Sequence, residues 1–190
     1  MIWEFSPSSK PMVAIMREIL RKYPNCEFGR ELFPGNPVPI LRVSGGKTTA
    51  DVADWGYLTQ KGKRVYNARS ETLLEKPLFG KDFIQNRCVI PVTGFCEWDG
   101  EGTGWDFLPQ EEEMLYLAGV CRKKAEGWEA TVVTEHAAGC VGEIHHRTPL
   151  ILSGENLRQW LYDEGQARQF LEEAKERVLL KRKKMEGETL

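Results

Sequence analysis

Three polar groups interrupt apolar parts of the chain and could together perform acid–base chemistry. Asn67 begins the polar segment NARSE (67–71), Glu97 lies in GFCEW, and His145 lies in EIHHRTPLIL. Burying such groups among apolar neighbours costs free energy unless a partner or a function compensates. The apolar setting of Glu97 favours proton exchange near neutral pH, and imidazole is the side chain best suited to that exchange. Asn67, Glu97 and His145 are therefore the candidate catalytic residues.

Each of these residues also has an ordinary structural explanation. Asn67 could cap a turn, and a histidine at the start of a strand often donates a structural hydrogen bond. Glu97 could pair with Arg87 or Arg147. Taken singly, the structural explanations are favoured. Because the amide, the carboxylate and the imidazole come from separate segments, each flanked by an arginine or a tryptophan, together they favour an acid–base site beside an anion-binding surface.

The histidines and cysteines do not form a pattern typical of a metal or disulfide site. His145 and His146 are adjacent, so on a strand they would point to opposite faces, and we expect neither a metal nor another cofactor. The five cysteines are odd in number and include no CxxC pair, which favours a reducing environment. They are Cys26, Cys88, Cys96, Cys121 and Cys140. A hydrolase that uses one of the last four as its nucleophile remains an alternative, although none lies at a recognisable strand-to-helix turn.

Length and charge restrict the remaining possibilities. With 190 residues, 41% of them hydrophobic, the chain suits a single domain over 1–190. The net charge of -2 means that any nucleic-acid surface must be a local patch. No apolar run is long enough to cross a membrane, and the first residues do not resemble a signal peptide. We expect a monomeric cytoplasmic protein without membrane contact.

The order of elements predicts an α+β fold. SSKPMVAIMREILRKYP has helical spacing, and six runs rich in β-branched and aromatic residues follow it. The connections between these runs are short and rich in glycine, which favours a mixed or antiparallel sheet or a partial barrel flanked by helices. Two helical segments, 154–163 and 165–178, come near the end. Residues 1–10 form an atypical N-terminus, and 181–190 is expected to be a flexible tail.

The candidate residues lie in motifs whose order resembles a known family. WGY (55–57), NARSET (67–72), RCVIPVTGFCEW (87–98) and IHHRTPLIL (144–152) occur in this order, with YLAGV and VVTEHA between the last two. This pattern resembles the SOS response-associated peptidase (SRAP) family of abasic-site processing proteins. The resemblance covers roughly residues 30 to 165, and the order of its motifs makes chance agreement improbable.

The resemblance implies a covalent reaction with damaged DNA. Family members bind single-stranded DNA that carries an abasic site, as part of the DNA damage (SOS) response, and join it through an N-terminal cysteine. The α-amine condenses with the sugar aldehyde, and the thiol closes a thiazolidine ring. By matching motifs, Asn67 would orient the terminal residue or the opened sugar, Glu97 would move protons at the amine, and His145 would act on the sugar oxygen.

The same resemblance implies a set of DNA-binding residues. Arg69 and Arg147 would hold phosphates, and Trp55 would offer a face on which a base stacks. Asn36, in ELFPGNPVPIL, lies in a segment that looks like the family's Pro- and Asn-containing loop.

The N-terminus departs from the family pattern. The family begins Met-Cys-Gly-Arg, whereas this chain begins MIWEFSPSSK, with Ile2 in place of the cysteine and Glu4 in place of an arginine. Cys96 replaces an aromatic residue, and His146 replaces an Asp. Three explanations stay open: a natural start that carries the cysteine, a noncovalent single-stranded DNA binder, or a lyase that forms a Schiff base through the α-amine of Met1. Whether this chain is an enzyme is therefore left undecided, as is its peptidase activity beyond self-processing.

Overall fold

The computed structural model describes residues 1–110, 113–172 and 179–184. The strands in these residues are β1 (Ile2–Glu4), β2 (Glu31–Leu32), β3 (Pro37–Ser44), β4 (Lys47–Trp55), β5 (Tyr57–Leu58), β6 (Arg64–Val65), β7 (Asn67–Arg69), β8 (Arg87–Val92), β9 (Gly94–Trp98), β10 (Gly104–Pro109), β11 (Leu115–Lys123), β12 (Trp128–His136), β13 (Arg147–Pro149), β14 (Ile151–Leu152) and β15 (Leu179–Lys183). The helices are α1 (Lys10–Lys22), α2 (Gly80–Gln85), α3 (Gly139–Gly142), α4 (Gly154–Tyr162) and α5 (Glu164–Glu172). This confirms the predicted α+β class.

The larger sheet closes into a ring. Its strands follow the order β13-β12-β4-β3-β8-β11-β14, and β12 also pairs with β11. Because β12 meets β4 on one side and β11 on the other, the five strands β12, β4, β3, β8 and β11 form a closed barrel-like ring. Most neighbours are antiparallel, while β12 runs parallel to β4 and β7. The larger sheet therefore has the mixed strand directions that were predicted, and it also forms the predicted barrel.

Two apolar cores lie on opposite faces of this ring, as the alternation of side chains along a strand requires. In β8, Cys88 and Ile90 belong to the first core, and Val89 belongs to the second. The first core continues into the smaller sheet. The second core contains Phe83 of α2, Trp160 of α4 and buried residues of α5. Helices α2, α4 and α5 therefore cover one face of the ring, and the smaller sheet, with α1 and α3, packs against the core on the other.

The smaller sheet contains the N-terminal strand. Its order is β15-β10-β9-β1-β2, so β1 lies between β9 and β2. The indole of Trp3 in β1 stacks on the indole of Trp55 in β4, which belongs to the larger sheet. Their centroids are 3.4 Å apart, and the interplanar angle is 15°. Both tryptophans are fully buried. A strand only three residues long is held here by its position inside a sheet and by this stacked pair.

Helix α1 follows the spacing read from the sequence. Pro11 lies in its first turn, Met12 and Ile19 are buried, and the helix ends at Lys22, with Tyr23 as its C-cap before a proline. The hydroxyl of Tyr23 donates to Asp51 at 2.6 Å, which ties the end of the helix to β4.

The glycine of the WGY motif has a local structural reason. Gly56 has a φ of 113°, which favours glycine, and a Cβ at this position would lie 2.6 Å from the Tyr66 ring. The turn between β4 and β5 therefore needs a residue without a side chain.

Several expectations about the chain's elements need correction. Residues 1–10, whose sequence is atypical of the family, contain β1, an internal strand. The chain after β9, expected to be only a Gly-rich connection, forms a full strand, β10. The expected flexible tail (181–190) begins as a strand, because β15 pairs with β10 from Leu179 to Lys183. Residues 185–190 of that tail, and 173–178 of the last expected helix, lie outside the described residues. Among the helices of the described residues, none combines the length and apolarity that a membrane crossing needs.

Candidate active site

The α-amine of Met1 lies against the carboxylate of Glu97. Ile2 pairs with Cys96 across β1 and β9, which places Met1 beside Glu97. The amine nitrogen is 3.2 Å from Oε2 of Glu97, and the two side chains are 6% and 7% exposed. Since side chains alternate along a strand, Glu97 lies on the same face as Phe95 of the first core. The amine and the carboxylate therefore meet at the edge of the core between the two sheets.

His145 lies on the other side of the same carboxyl group. Its Nδ1 is 4.0 Å from Oε1 of Glu97, and its side chain is 32% exposed. The segment after α3 holds the ring: Nδ1 is 3.0 Å from the carbonyl oxygen of Arg147 and 3.1 Å from its amide nitrogen. A protonated Nδ1 donates to that oxygen, and an unprotonated Nδ1 accepts from that N–H. The ring is thus held whether or not Nδ1 carries a proton.

This arrangement brings two of the three predicted catalytic residues together. One carboxyl group separates a primary amine from an imidazole, and it can pass a proton to or from either. A primary amine with an adjacent acid–base pair is suited to attack on a carbonyl carbon.

Asn67 and Arg69 lie on the same face of the ring as this site. Strand β7 runs parallel to β12, with Asn67 beside Val132 and Arg69 beside Thr134. Val132 belongs to the first core, so Asn67 and Arg69 share its face, whereas Ala68 between them is buried in the second core. Both polar side chains are exposed. Among the described residues, neither side chain makes a hydrogen bond or ion pair, which leaves both able to bind a ligand.

Arg147, by contrast, is already paired. Its two terminal nitrogens donate to the two carboxylate oxygens of Glu71 at 2.7 and 3.0 Å. It also donates to the carbonyl oxygen of Thr134 at 2.5 Å. The pair with Arg147 lowers the pKa of the Glu71 carboxyl group, which keeps it ionised. An open phosphate-binding guanidinium, as expected here, is therefore not what the structure contains.

Trp55 does not present a stacking face to solvent. Its side chain is only 1% exposed, one face is covered by Trp3, and its ring nitrogen donates to the carbonyl oxygen of Tyr66 at 3.1 Å. The expected stacking of a DNA base on Trp55 is wrong for this structure. The sequence places an aromatic residue at a strand end, and burial by a partner 52 positions earlier in the chain has no local signal.

Asn36 has a structural bond in place of a ligand. Its side-chain oxygen accepts a hydrogen bond from the amide of Phe33 at 2.9 Å, and its backbone carbonyl accepts one from Trp55. The residue therefore shapes the turn before β3, and the expected contact with DNA stays a prediction.

The two structural pairings considered for Glu97 are not formed. Arg87 is buried and donates to the carbonyl oxygens of Phe83 and Trp160.

The expectation that His145 and His146 point to opposite faces is also wrong, because both precede β13 and their ring centroids are 4.5 Å apart. Within the described residues, no group of three or more His, Cys, Asp or Glu side chains is arranged to hold a metal ion.

The model of the SOS response associated peptidase (SRAP) family matches residues 13–186. The chain belongs to the SRAP family.

Relatives of this SRAP chain carry a common name. Abasic site processing protein YoqW of Bacillus subtilis is 32% identical over 120 residues, which cover 58% of this chain and 53% of YoqW. Abasic site processing protein HMCES of Gallus gallus is 33% identical over 127 residues, covering 52% of this chain and 38% of HMCES. The match thus spans about half or less of the length of these curated relatives.

Two solved structures share the SRAP chain's fold. A protein from Bacteroides thetaiotaomicron has a TM-score of 0.70 at 22% identity, covering 90% of this chain and 85% of its own. A phage-related protein from Bordetella bronchiseptica has a TM-score of 0.70 at 18% identity, covering 96% of this chain and 92% of its own. At these identities the likeness concerns the fold alone.

Two residues at or beside the candidate site were not singled out from the sequence. Glu71 lies in the NARSE motif without any local sign that it pairs with Arg147, 76 positions later. Trp3 lies in the segment considered atypical, although it stacks on Trp55. An apolar aromatic residue near the terminus, followed by another at position 5, was the available signal for a buried N-terminal strand.

The cysteines do not support the alternative nucleophile. Cys88, Cys96 and Cys121 are fully buried. Burial raises the pKa of the Cys88 thiol well above its ordinary value and raises that of Cys96 to about 12, so neither is poised to form a thiolate near neutral pH. Cys140, which is partly exposed, lies near the carbonyl oxygen of Leu179.

Proposed function

We propose that this SRAP protein binds single-stranded DNA and processes abasic sites in it through the α-amine of Met1. The observation that carries the proposal is the placement of this amine 3.2 Å from Glu97, with His145 at the other oxygen of the same carboxyl group. The shared name of its curated relatives supports the choice of an abasic site as substrate.

The opened abasic sugar carries an aldehyde, which a primary amine attacks. Glu97 takes a proton from the ammonium form of Met1, and the neutral nitrogen adds to the aldehyde carbon. The resulting carbinolamine loses its hydroxyl group as water after His145 supplies a proton, and a protonated imine remains. His145, now neutral, takes a proton from the sugar carbon next to the imine, and the following carbon loses its bond to the 3′ phosphate oxygen, which leaves with the cleaved strand; this is a lyase reaction.

A thiazolidine link requires a thiol on the residue that carries the amine, and Met1 has none. Cys96 is opposite Ile2 in the sheet, but neighbouring strand residues face opposite sides, so its thiol lies on the other face from Glu97. The covalent link proposed for this chain is consequently a reversible imine.

Asn67 and Arg69 extend the proposed site towards the DNA. Both side chains are exposed on the face that carries Glu97 and His145, and neither has a partner among the described residues. Arg69 binds a phosphate next to the lesion, and the amide of Asn67 hydrogen-bonds the opened sugar.

Trapping on denaturing gels tests this proposal. The protein is incubated with a single-stranded oligonucleotide that carries one abasic site, with and without borohydride. We expect a denaturation-resistant adduct only when borohydride reduces the imine. An adduct that resists denaturation without reductant would contradict the imine and require a thiazolidine or another stable link.

Replacing the central carboxyl group gives a sharper test. Glu97→Gln keeps the shape but cannot accept a proton, so the rate of trapping should fall by about 100-fold, while affinity for the oligonucleotide changes little. Glu101→Gln, in the exposed turn after β9, is the matched control and should trap at the parental rate. Equal trapping by both variants would remove Glu97 from the chemistry.

A noncovalent single-stranded DNA binder is the second candidate. The close contact between the Met1 amine and Glu97 favours it, since an amine held in an ion pair is a poor nucleophile until it loses its proton. Gel retardation without any trapped adduct, at every pH between about 6 and 9, would support this candidate over the lyase.

A further inference from the structure

The carboxylate of Glu71 binds the guanidinium of Arg147 with the geometry that a phosphate would use. The two carboxylate oxygens accept from the two terminal nitrogens of Arg147 at 2.7 and 3.0 Å, which is a bidentate fork. Carboxylates and phosphates present the same pair of oxygens to arginine, so one can replace the other without moving the guanidinium.

The position of Arg147 does not depend on Glu71 alone. One terminal nitrogen also donates to the carbonyl oxygen and the hydroxyl of Thr134, at 2.5 and 3.3 Å. The Arg147 side chain is 11% exposed, whereas that of Glu71 is 39% exposed. The carboxylate is therefore the more exposed partner of the pair, and the guanidinium is the part held by the sheet.

Two cationic or potentially cationic side chains, Arg147 and His136, contact this one carboxylate, and Arg69 lies on the strand next to Arg147's partner Thr134. Nε2 of His136 is 3.4 Å from Oε1 of Glu71. Arg69 lies beside Thr134, the residue that also holds Arg147, in the parallel pairing of β7 with β12. Removal of Glu71 from the fork would leave Arg147, Arg69 and His136 as a local basic patch on a chain whose net charge is -2.

We infer that Glu71 is an internal competitor for DNA phosphate: its carboxylate fills the fork of Arg147 in the free protein and gives way to a phosphodiester when DNA binds. This inference rests on the proposed function, because it takes single-stranded DNA as the ligand. Glu71 thereby sets the affinity of the site, since each binding event must first break its pair with Arg147.

A supporting role for Glu71 predicts the opposite effect of the same mutation. If Glu71 served to hold Arg147 ready for phosphate, neutralising it would loosen the guanidinium and weaken DNA binding. If Glu71 competes with phosphate, neutralising it frees the fork and strengthens binding. The sign of one affinity change therefore separates the two roles.

The test is the affinity of the full chain for a fluorescent single-stranded oligonucleotide without an abasic site, measured by anisotropy at fixed salt. Glu71→Gln should bind about fivefold more tightly than the parent, the scale of a partly exposed ion pair. Glu75→Gln is the matched control, because Glu75 is exposed four residues later and makes no ion pair among the described residues. It removes the same charge without opening the fork.

A double-mutant cycle separates release of the fork from a general change in charge. In an Arg147→Ala background, Glu71→Gln should raise the affinity for the oligonucleotide by no more than Glu75→Gln does. Arg147→Lys provides a second background that keeps the charge and the fold but cannot form a bidentate fork. The extra affinity that Glu71→Gln produces in the parent should also be absent in the Arg147→Lys background.

Each outcome decides the inference. A gain no larger than that of Glu75→Gln, a loss of affinity, or a gain that persists in both Arg147 backgrounds would overturn it. If the parent binds and Glu71→Gln shows no extra gain, only this inference fails. If neither binds the oligonucleotide, the DNA-binding part of the proposed function fails with it.

Discussion

Two arginines on one face of the molecule differ in what they can bind. Arg69 is exposed and has no hydrogen-bond or ion-pair partner among the described residues, whereas Arg147 is held by Glu71 and Thr134. Their residue types and their positions in the motifs give both the same expected role. Under the proposed function, Arg69 would bind a phosphate directly, whereas Arg147 would do so only after Glu71 is displaced.

Arg69→Ala should weaken single-stranded DNA binding because it removes one phosphate contact. The slope of log affinity against log salt should fall in magnitude by about 0.7, the value for one contact with a single strand. Arg158→Ala is the control, since Arg158 is exposed on α4, behind the opposite face of the ring. An unchanged slope for Arg69→Ala, measured by anisotropy between about 50 and 200 mM salt, would exclude this contact.

At the scale of elements, β1 determines whether the site exists. It is held on its inner face by the stack of Trp3 on Trp55, and on its outer face Glu4 is buried beside Asp106. The strand is three residues long, so these side chains and the pairing with β9 and β2 supply its stability. The amine reaches Glu97 only while β1 stays in the sheet.

Trp3→Ala should destabilise the protein by about 3–5 kcal/mol, because it leaves a large cavity beside Trp55. Urea unfolding followed by tryptophan fluorescence measures this loss, and hydrogen exchange should show faster exchange in β1 than in β12. Trp3→Phe retains an aromatic ring, so its free energy of unfolding should fall by less than half as much as that of Trp3→Ala. If Trp3→Ala were as stable as the parent, the stack of Trp3 on Trp55 would not be what holds β1.

Glu4 should make stability depend on pH. Burial, together with the nearby charge of Asp106, raises the pKa of the Glu4 carboxyl group from 4.5 to about 7. Between these values the folded chain binds a proton more tightly than the unfolded chain, so this stabilisation is complete below the lower value and is lost as the pH rises through about 7.

Glu4→Gln cannot lose a proton and should remove that dependence. We expect it to be more stable than the parent at about pH 8, by about 1–3 kcal/mol given ~1.4 kcal/mol per pKa unit, and nearly equal at about pH 4. Thermal or urea unfolding at both pH values measures the difference. Glu101→Gln in the exposed turn is the control, and parallel pH curves for Glu4→Gln and the parent would contradict the assignment.

At the scale of the whole molecule, the two sheets and the helices distribute the cysteines between interior and surface. Cys88, Cys96 and Cys121 are fully buried, while Cys26 and Cys140 are partly exposed. The chain therefore presents few thiols to solvent despite having five.

Thiol alkylation of the native protein should modify only Cys26 and Cys140, and intact mass should show at most two additions. Borohydride trapping of abasic DNA should survive this treatment, since the proposed nucleophile is an amine. Alkylation in urea should add all five groups. Loss of trapping after modification of the native protein would favour a cysteine-dependent reaction.

The sequence by itself determined the elements whose signals are local. The spacing of Met12 and Ile19 predicted α1, and the apolar runs predicted β8, β11 and β12, because helix and strand periodicities extend over only a few residues. The polar residues in apolar settings also singled out Glu97 and His145, which the fold brings within 4.0 Å, while their catalytic role stays a prediction. An isolated acid in a buried strand is visible without knowing its partner.

The tertiary structure alone decided which distant groups meet. The stack of Trp3 on Trp55 buried a residue expected on the surface, and the pair between Glu71 and Arg147 joined residues 76 positions apart. The place of β1 inside a sheet depends on β2 and β9, which begin at Glu31 and Gly94. Such contacts depend on how the sheets close around their cores, and a local pattern of residue types carries no record of that closure.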